Sequence, residues 1–469
     1  MAMSYEEMED MSGKFIPENV RYLVDSMSQY SRNRFRLESV SADTASAGRI
    51  ITVNLPEGAC LDLQSFRFHF DALTTSSTVG AETVYGKLPN DAAQSLIQRV
   101  EVNLNGVAAQ QGAAEWNTLY QMKKLKEGSV PRASTVDRAV AHYEINDANA
   151  VDNESLVCQD WAGFLGESST RFIDTAIWGQ AQVRLTMAPN SVLVPKRNGA
   201  GAGFELGDPL TVADALTAAG NISYSISNLY FTIDSVSLNP IYSKMLRDRL
   251  ENDDYLPLNY KEYYTFSLDS ITTGSSVPRF SLSSGCIDDL MAIYRDSNYQ
   301  TTGVVCKKLT DAAPGAGAFV ANYCRFRNYD SSTDLAGTFR YNWSVNNVQS
   351  PQYRADKMDA LCDVNYCPDK VGMGAEGTLV SSKSSFQDGK FLLCQKLNHP
   401  TRWGVGCQSG FNSRGISTMM TLNVSGQVIP AASPAPAGDG TTAVLNAFVV
   451  VATTAQARAG VGKNVAILF

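Results

Sequence analysis

Histidine is scarce in this chain: His69, His142 and His399 are the only three among 469 residues. That leaves little material for a Ser-His-Asp triad or a histidine metal site. The sequence also lacks Gly-x-Ser-x-Gly, a phosphate-loop signature and H-E-x-x-H, and the glycines between 199 and 203 precede no Lys-Ser/Thr. Cysteine is present but unpatterned. Nine residues, an odd number, run from Cys60 to Cys407 without a C-x-x-C pair, and the nearest two, Cys362 and Cys367, have only His399 downstream. Neither a disulfide framework nor a zinc site is indicated, so reduced thiols and no structural metal are expected.

Charge is also in short supply. Charged residues make up 18% of the chain, the formal net charge is −8, and no basic cluster exceeds Lys123, Lys124 and Lys126. A surface that coats nucleic acid needs more positive charge, so no specific nucleic-acid binding is expected. The first eleven residues carry Glu6, Glu7, Glu9 and Asp10 before any base, the reverse of a secretory signal. The most apolar window, Ala443 to Ala452, contains Asn446 and falls far short of the ~20 residues a spanning helix requires.

What is abundant is apolar residues, 44% of the chain, set in short alternating runs. Phe66, Phe68 and Phe70 alternate with polar neighbours, as do Val100, Val102 and Leu104, then Val183, Leu185 and Met187, and Met420, Leu422 and Val424. Period-two alternation puts one strand face in a core, and turn-forming segments between the runs favour sandwiches over α/β alternation. Helical patterns are few. Pro17 to Met27 carries Val20, Leu23, Val24 and Met27 at amphipathic spacing; a second helix follows Asn90 as N-cap, a third spans 113–126, and a fourth spans 240–250.

The fourth helix, followed by the polar 251–254, reads as a connector between domains. A weak internal repeat supports duplication: Phe68 to Val79 matches Phe266 to Val277, pairing Asp71 with Asp269 and Thr74 with Thr272. The expected division is an N-terminal arm over 1–29, a first sandwich over 30–238, a connector over 239–255 and a second sandwich over 256–469. On this division Phe68 and Phe266 should be equivalent. Three low-complexity stretches, 198–203, 312–318 and 430–442, are expected to be exposed loops, and Val465 to Phe469 is too apolar for a free tail. The adjacent acids Asp253/Asp254 and Asp288/Asp289 admit a glycosidase pair, but solvated turn or helix-start positions are the commoner use of such pairs. No residue is assigned a catalytic, cofactor-binding or metal-binding role.

The stretch from Gly86 through Leu88-Pro89-Asn90, Ser95-Leu96-Ile97 and Asn105-Gly106, continued by Glu115-Trp116-Asn117-Thr118-Leu119-Tyr120, resembles the first jelly roll of double jelly-roll major capsid proteins. The likeness covers about 35 residues, is strongest to the capsid proteins of polinton-like viruses and virophages, and extends to those of nucleocytoplasmic large DNA viruses. It implies an all-β fold, two tandem jelly-roll β-sandwiches with a few short helices, and a structural protein without enzymatic activity. It further implies a homotrimer forming a pseudo-hexameric capsomer in an icosahedral shell, contacting neighbouring capsomers, a penton protein and minor or cement proteins. Such a protein resides in the virion after synthesis in the host cytoplasm, nucleus or virus factory, and the likeness leaves open whether an internal membrane lies beneath. The rival reading is a secreted or virion-surface β-sandwich that binds carbohydrate or a host surface, which would ordinarily need the export signal the first residues lack.

Overall fold

The computed structural model describes residues 31–89, 91–127, 151–198, 217–218, 220–237, 240–253, 255–271, 276–296, 338–346, 348–365, 391–397, 410–414, 419–426 and 445–468. The helix expected over Pro17 to Met27, the loop stretches 199–203, 312–318 and 430–442, His142, His399 and Asp254 lie outside these residues.

Between residues 31 and 237, one sheet is ordered Ser31–Glu38, Tyr224–Ser237, Cys60–Thr74 and then Phe172–Asp174, with Asn153–Cys158 pairing farther along Cys60–Thr74. The facing sheet is ordered Ile50–Asn54, Ala181–Met187, Ile97–Leu104 and Val107–Gln110. Counting Asn153–Cys158 as the sixth strand and setting the three-residue Phe172–Asp174 aside, these are in chain order strands one, eight, three and six against two, seven, four and five, the strand order of a jelly roll. A small sheet of Ser76–Val79, Glu82–Lys87 and Val194–Asn198 stands beside them.

Between 255 and 468 the same order recurs. Tyr255–Ile271, Leu445–Gly460, Ile287–Asp296 and Leu393–Lys396 form one sheet, and Arg279–Ser281, Met419–Ser425, Arg340–Val345 and Val348–Ala355 form the other. The fold is therefore a double jelly roll, with the helix Pro240–Asp253 between its two sets of sheets. Asn464–Leu468 pairs with the end of Leu445–Gly460, so the apolar C-terminal segment completes a sheet.

Side-chain alternation accounts for the strands. Val183, Leu185 and Met187 are buried while Gln182, Arg184 and Thr186 face outward. Phe66 and Phe68 stack on Phe231 of the neighbouring strand at 5.6 and 4.8 Å between ring centres, a geometry that adds to the burial of the rings. Turn chemistry is equally local. Asn105 and Gly106 both take positive φ, as the tight turn joining Ile97–Leu104 to Val107–Gln110 demands, and Asn346 takes it at the matching hairpin of the second half. The long pairing of Cys60–Thr74 with Tyr224–Ser237 shifts register between Ser227 and Tyr230 and again between Thr232 and Asp234; left-handed Asn228 sits in the first shift and donates to Asp71.

Two expectations need correction. Phe68 lies on the third strand of its jelly roll and Phe266 on the first of the other, so the two are not equivalent and the sequence match between them is accidental. The duplication is carried by strand order, not by that repeat. The short helix Ala92–Ser95 takes Asp91, not Asn90, as its N-cap; Asp91 adopts a left-handed backbone and its carboxylate holds Lys124 at 2.7 Å.

Candidate functional site

Among the described residues no cleft gathers the groups that could carry chemistry; the features that ask for a function are interfaces. The first lies between the jelly rolls. Tyr255–Ile271 is an edge strand of its sheet, and a bare edge offers unpaired backbone groups to any passing strand. Here residues of the first jelly roll cover it. Ser169 N–H donates to the carbonyl of Asn259 at 2.7 Å, Lys261 N–H to that of Glu167 at 3.2 Å, and Thr265 N–H to that of Gly112 at 3.2 Å. The Tyr260 hydroxyl donates to the Ala109 carbonyl at 2.6 Å, and its ring meets Phe164 edge-on at 5.2 Å. The approach is close enough to require glycine at 112, where a Cβ would lie 2.6 Å from the Tyr263 carbonyl oxygen and 2.8 Å from the Tyr264 ring.

Ion pairs reinforce this seam. Arg295, fully buried, donates to Glu115 at 2.6 Å and Thr118 at 3.2 Å and lies over the Phe448 ring. Lys126 of the helix Trp116–Glu127 meets Asp289 at 2.7 Å. Burial alone would raise the Glu167 carboxyl, but Lys123 at 2.9 Å, with the Gly163 N–H and the Tyr263 hydroxyl, holds it below its usual range. Buried pairs add little net stability over apolar packing, yet losing one partner is costly, so they fix the arrangement of what they join. Glu262 differs: it is fully buried with no cation bonded to it among the described residues, accepting from the Tyr264 hydroxyl at 2.8 Å and the Gln111 N–H at 3.4 Å, and burial pushes it up to about 7.

The motif residues of the first jelly roll converge on the same region. Trp116 donates its ring N–H to Gln94 at 2.9 Å and packs 5.9 Å from Trp161, so the helices Ala92–Ser95 and Trp116–Glu127 close one end of the sandwich. Lys87 pairs with Asp152 at 2.9 Å, both buried.

The second feature is the edge strand of the first jelly roll. Ser31–Glu38 occupies the same first-strand position as Tyr255–Ile271, but among the described residues no strand pairs with its outer side, and it is mostly exposed. Arg32 and Arg34 bond Asp234 (Arg34 at 2.7 Å), holding that carboxyl below its usual range through the Arg34 bond first, while Arg171 holds the buried Asp62 at 2.7 Å. Arg36 lies over the Tyr230 ring, which stacks on His69 at 4.5 Å. His69 is half-buried, and burial, with Arg67, Arg34 and Arg36 nearby, lowers its pKa. In the second jelly roll, Val348–Ala355 and the helix Lys357–Asn365 present Val348, Tyr353 and Met358 at 65%, 60% and 48% exposure.

Asp288 and Asp289 are not solvated turn residues. They lie buried on the strand Ile287–Asp296, where Lys261 at 2.5 Å and Thr454 at 2.6 Å hold Asp288, and Lys126 holds Asp289. Each carboxylate has its own lysine, the arrangement of a brace. Asp253 ends the connecting helix. Cys60, Cys158, Cys286, Cys362 and Cys394 carry thiols, Cys362 exposed. Among the described residues no group of three or more His, Cys, Asp or Glu is placed to hold a metal ion, and no helix is long and apolar enough to cross a membrane. The seam was missed in the sequence because its members lie far apart along the chain, and Glu262 and Arg295 stand among other polar residues of their own strands, so no local pattern marked them.

No protein-family model and no curated protein sequence matches the chain. Its structure is similar to solved virus structures. The quasi-atomic model of the PBCV-1 virus capsid matches with a TM-score of 0.57 at 11% identity, over 94% of this chain and 97% of that one. The Faustovirus major capsid protein matches at 0.52 and 10%, over 95% and 91%, and the Sputnik virophage structure at 0.51 and 10%, over 94% and 88%.

Proposed function

We propose that the chain is the major capsid protein of an icosahedral double-stranded DNA virus, acting as a structural tile and not as an enzyme. The observation that carries this reading is the complete jelly-roll strand order, found twice in one chain and joined by a close-packed polar seam. Two similar sandwiches held at a fixed mutual orientation are what a trimer needs to present six near-equal walls and tile a hexagonal lattice. Similarity to the Faustovirus and Sputnik structures over nearly the whole of this chain supports the same role.

In this reading the division falls at the helix Pro240–Asp253, with sandwiches over 30–238 and 256–469 and an N-terminal arm over 1–29. The partners are two further copies in a capsomer, neighbouring capsomers, a penton protein at the vertices and minor or cement proteins; the location is the virion. Lysine and arginine at the seam and first strand answer carboxylates of the chain itself, which supports a wall rather than a genome-coating surface. Electron microscopy of the purified chain tests the proposal. Trimers of pseudo-hexagonal outline are expected, and a monodisperse monomer under conditions that assemble particles would overturn it.

A further inference from the structure

The outer face of the first jelly roll's larger sheet carries a layered stack that takes no part in the seam. The Arg36 guanidinium of the edge strand Ser31–Glu38 lies 4.2 Å over the Tyr230 ring, and the His69 ring lies against Tyr230 at 4.5 Å with 5° between the planes. His69 Nε2 sits 3.2 Å from the Thr232 hydroxyl. An imidazole, a phenol and a guanidinium thus run across three neighbouring strands, Cys60–Thr74, Tyr224–Ser237 and Ser31–Glu38. Of these groups, histidine is the one whose charge changes at about pH 5–8.

We propose that His69 is an acid switch for the edge strand: a proton on its ring drives Ser31–Glu38 off Tyr224–Ser237 while the rest of the sandwich stays paired. This goes beyond the shell reading and does not rest on it. The groups around the ring decide the direction. Arg67, two residues along the same strand, and Arg34 and Arg36 of the edge strand all oppose a further positive charge. The acids nearby are already engaged: Asp234 by Arg34 at 2.7 Å and by Arg32, Glu38 by Arg36 at 3.1 Å, and Asp71 by the Ser155 hydroxyl at 2.5 Å and the Asn228 amide. On the far side the strand Asn153–Cys158 sets uncharged Val157 opposite His69. Burial first, then the three arginines, lowers the ring's pKa from the ordinary 6.5, so what the neutral ring contributes is present above pH 6.5 and is lost as pH falls through the lowered folded value. The edge strand is the element that yields. Phe35 and Leu37 pack against the core, its other side chains are exposed, and among the described residues it is paired on one side alone. A strand with so few buried contacts opens at lower cost than its neighbours, and lifting it hydrates the imidazolium and carries away two of the three guanidinium groups.

Hydrogen–deuterium exchange of the full chain at about pH 7.5 and about pH 5, corrected for the intrinsic change in exchange rate, tests this. The wild type should lose protection over residues 31–38 at the lower pH and keep it over Ile97–Leu104. His69→Gln, which cannot charge and keeps a hydrogen-bonding group for Thr232, should hold its protection over 31–38 at both pH values. His69→Phe, which keeps a ring against Tyr230, should do the same. Arg36→Gln changes an exposed side chain, so it serves even if neither His69 variant folds; it should shrink the loss seen in the wild type. Three results overturn the inference: a wild type equally protected at both pH values, a folded His69 variant that loses protection as the wild type does, or an Arg36→Gln chain whose loss is undiminished. A loss spread evenly over both jelly rolls also overturns it, because that is general acid unfolding; in each case the shell reading stands.

Discussion

Replacing Glu262 by glutamine isolates a single titration at the seam. Burial raises the folded-state value to about 7 from an ordinary 4.5, a difference worth about 3 kcal/mol at ~1.4 kcal/mol per unit. The direction is set by linkage: a carboxyl whose folded pKa is raised binds its proton more tightly in the folded state, so its contribution is full below pH 4.5 and is lost as pH rises through 7. The wild type should therefore lose up to about 3 kcal/mol between those limits from this group, relative to a chain that cannot ionise there. Glu262→Gln keeps an acceptor for the Gln111 N–H and stays neutral throughout, so the gap between variant and wild type should open in its favour above pH 5 and level off above pH 8. Urea unfolding midpoints at half-unit pH steps measure that gap. A gap independent of pH would refute the argument, because every other titrating group is common to both chains.

Three further outcomes are expected. Gly112→Ala should destabilise the seam by about 1–3 kcal/mol, since the new methyl group meets a backbone carbonyl that cannot move aside cheaply; thermal unfolding equal to wild type would contradict the close approach. Lys126→Met should cost about 3–5 kcal/mol by leaving Asp289 buried without its cation, and adding Asp289→Leu should recover most of it. Chemical denaturation of both variants decides, with an uncoupled pair of effects counting against the brace. Removing residues 1–28 should leave folded subunits or trimers that no longer form shells, as seen by electron microscopy; normal shells from the shortened chain would remove any assembly role for the amphipathic stripe of Pro17 to Met27.

The fold was legible wherever it depends on local pattern. Alternation located the strands around Phe68, Val102 and Val183, and Pro240 opened the connecting helix. The strand order could not be derived from alternation, because a period of two says which face is buried and nothing about which strand lies alongside. The apparent repeat from Phe68 to Phe266 misled for the same reason: two strands built for an apolar interior resemble each other whatever their place in the order. The seam was hidden more deeply. Arg295 and Glu115 are 180 residues apart, and no local rule brings them together. Asp288 and Asp289 looked like a solvated pair because the lysines that justify their burial are at 261 and 126.

The register shifts in the long pairing of Cys60–Thr74 with Tyr224–Ser237 bear on how such a chain can change length over time. A single residue gained or lost inside a regular stretch of these strands would turn Phe66, Phe68 or Phe231 out of the core and their polar neighbours in. At Ser227 to Tyr230 the ladder is already interrupted, so an added residue there would enlarge a bulge and leave the alternation on both sides intact. Point insertions and deletions that survive selection should therefore collect at the bulges and at the hairpin tips, while the straight stretches change length only in steps of two.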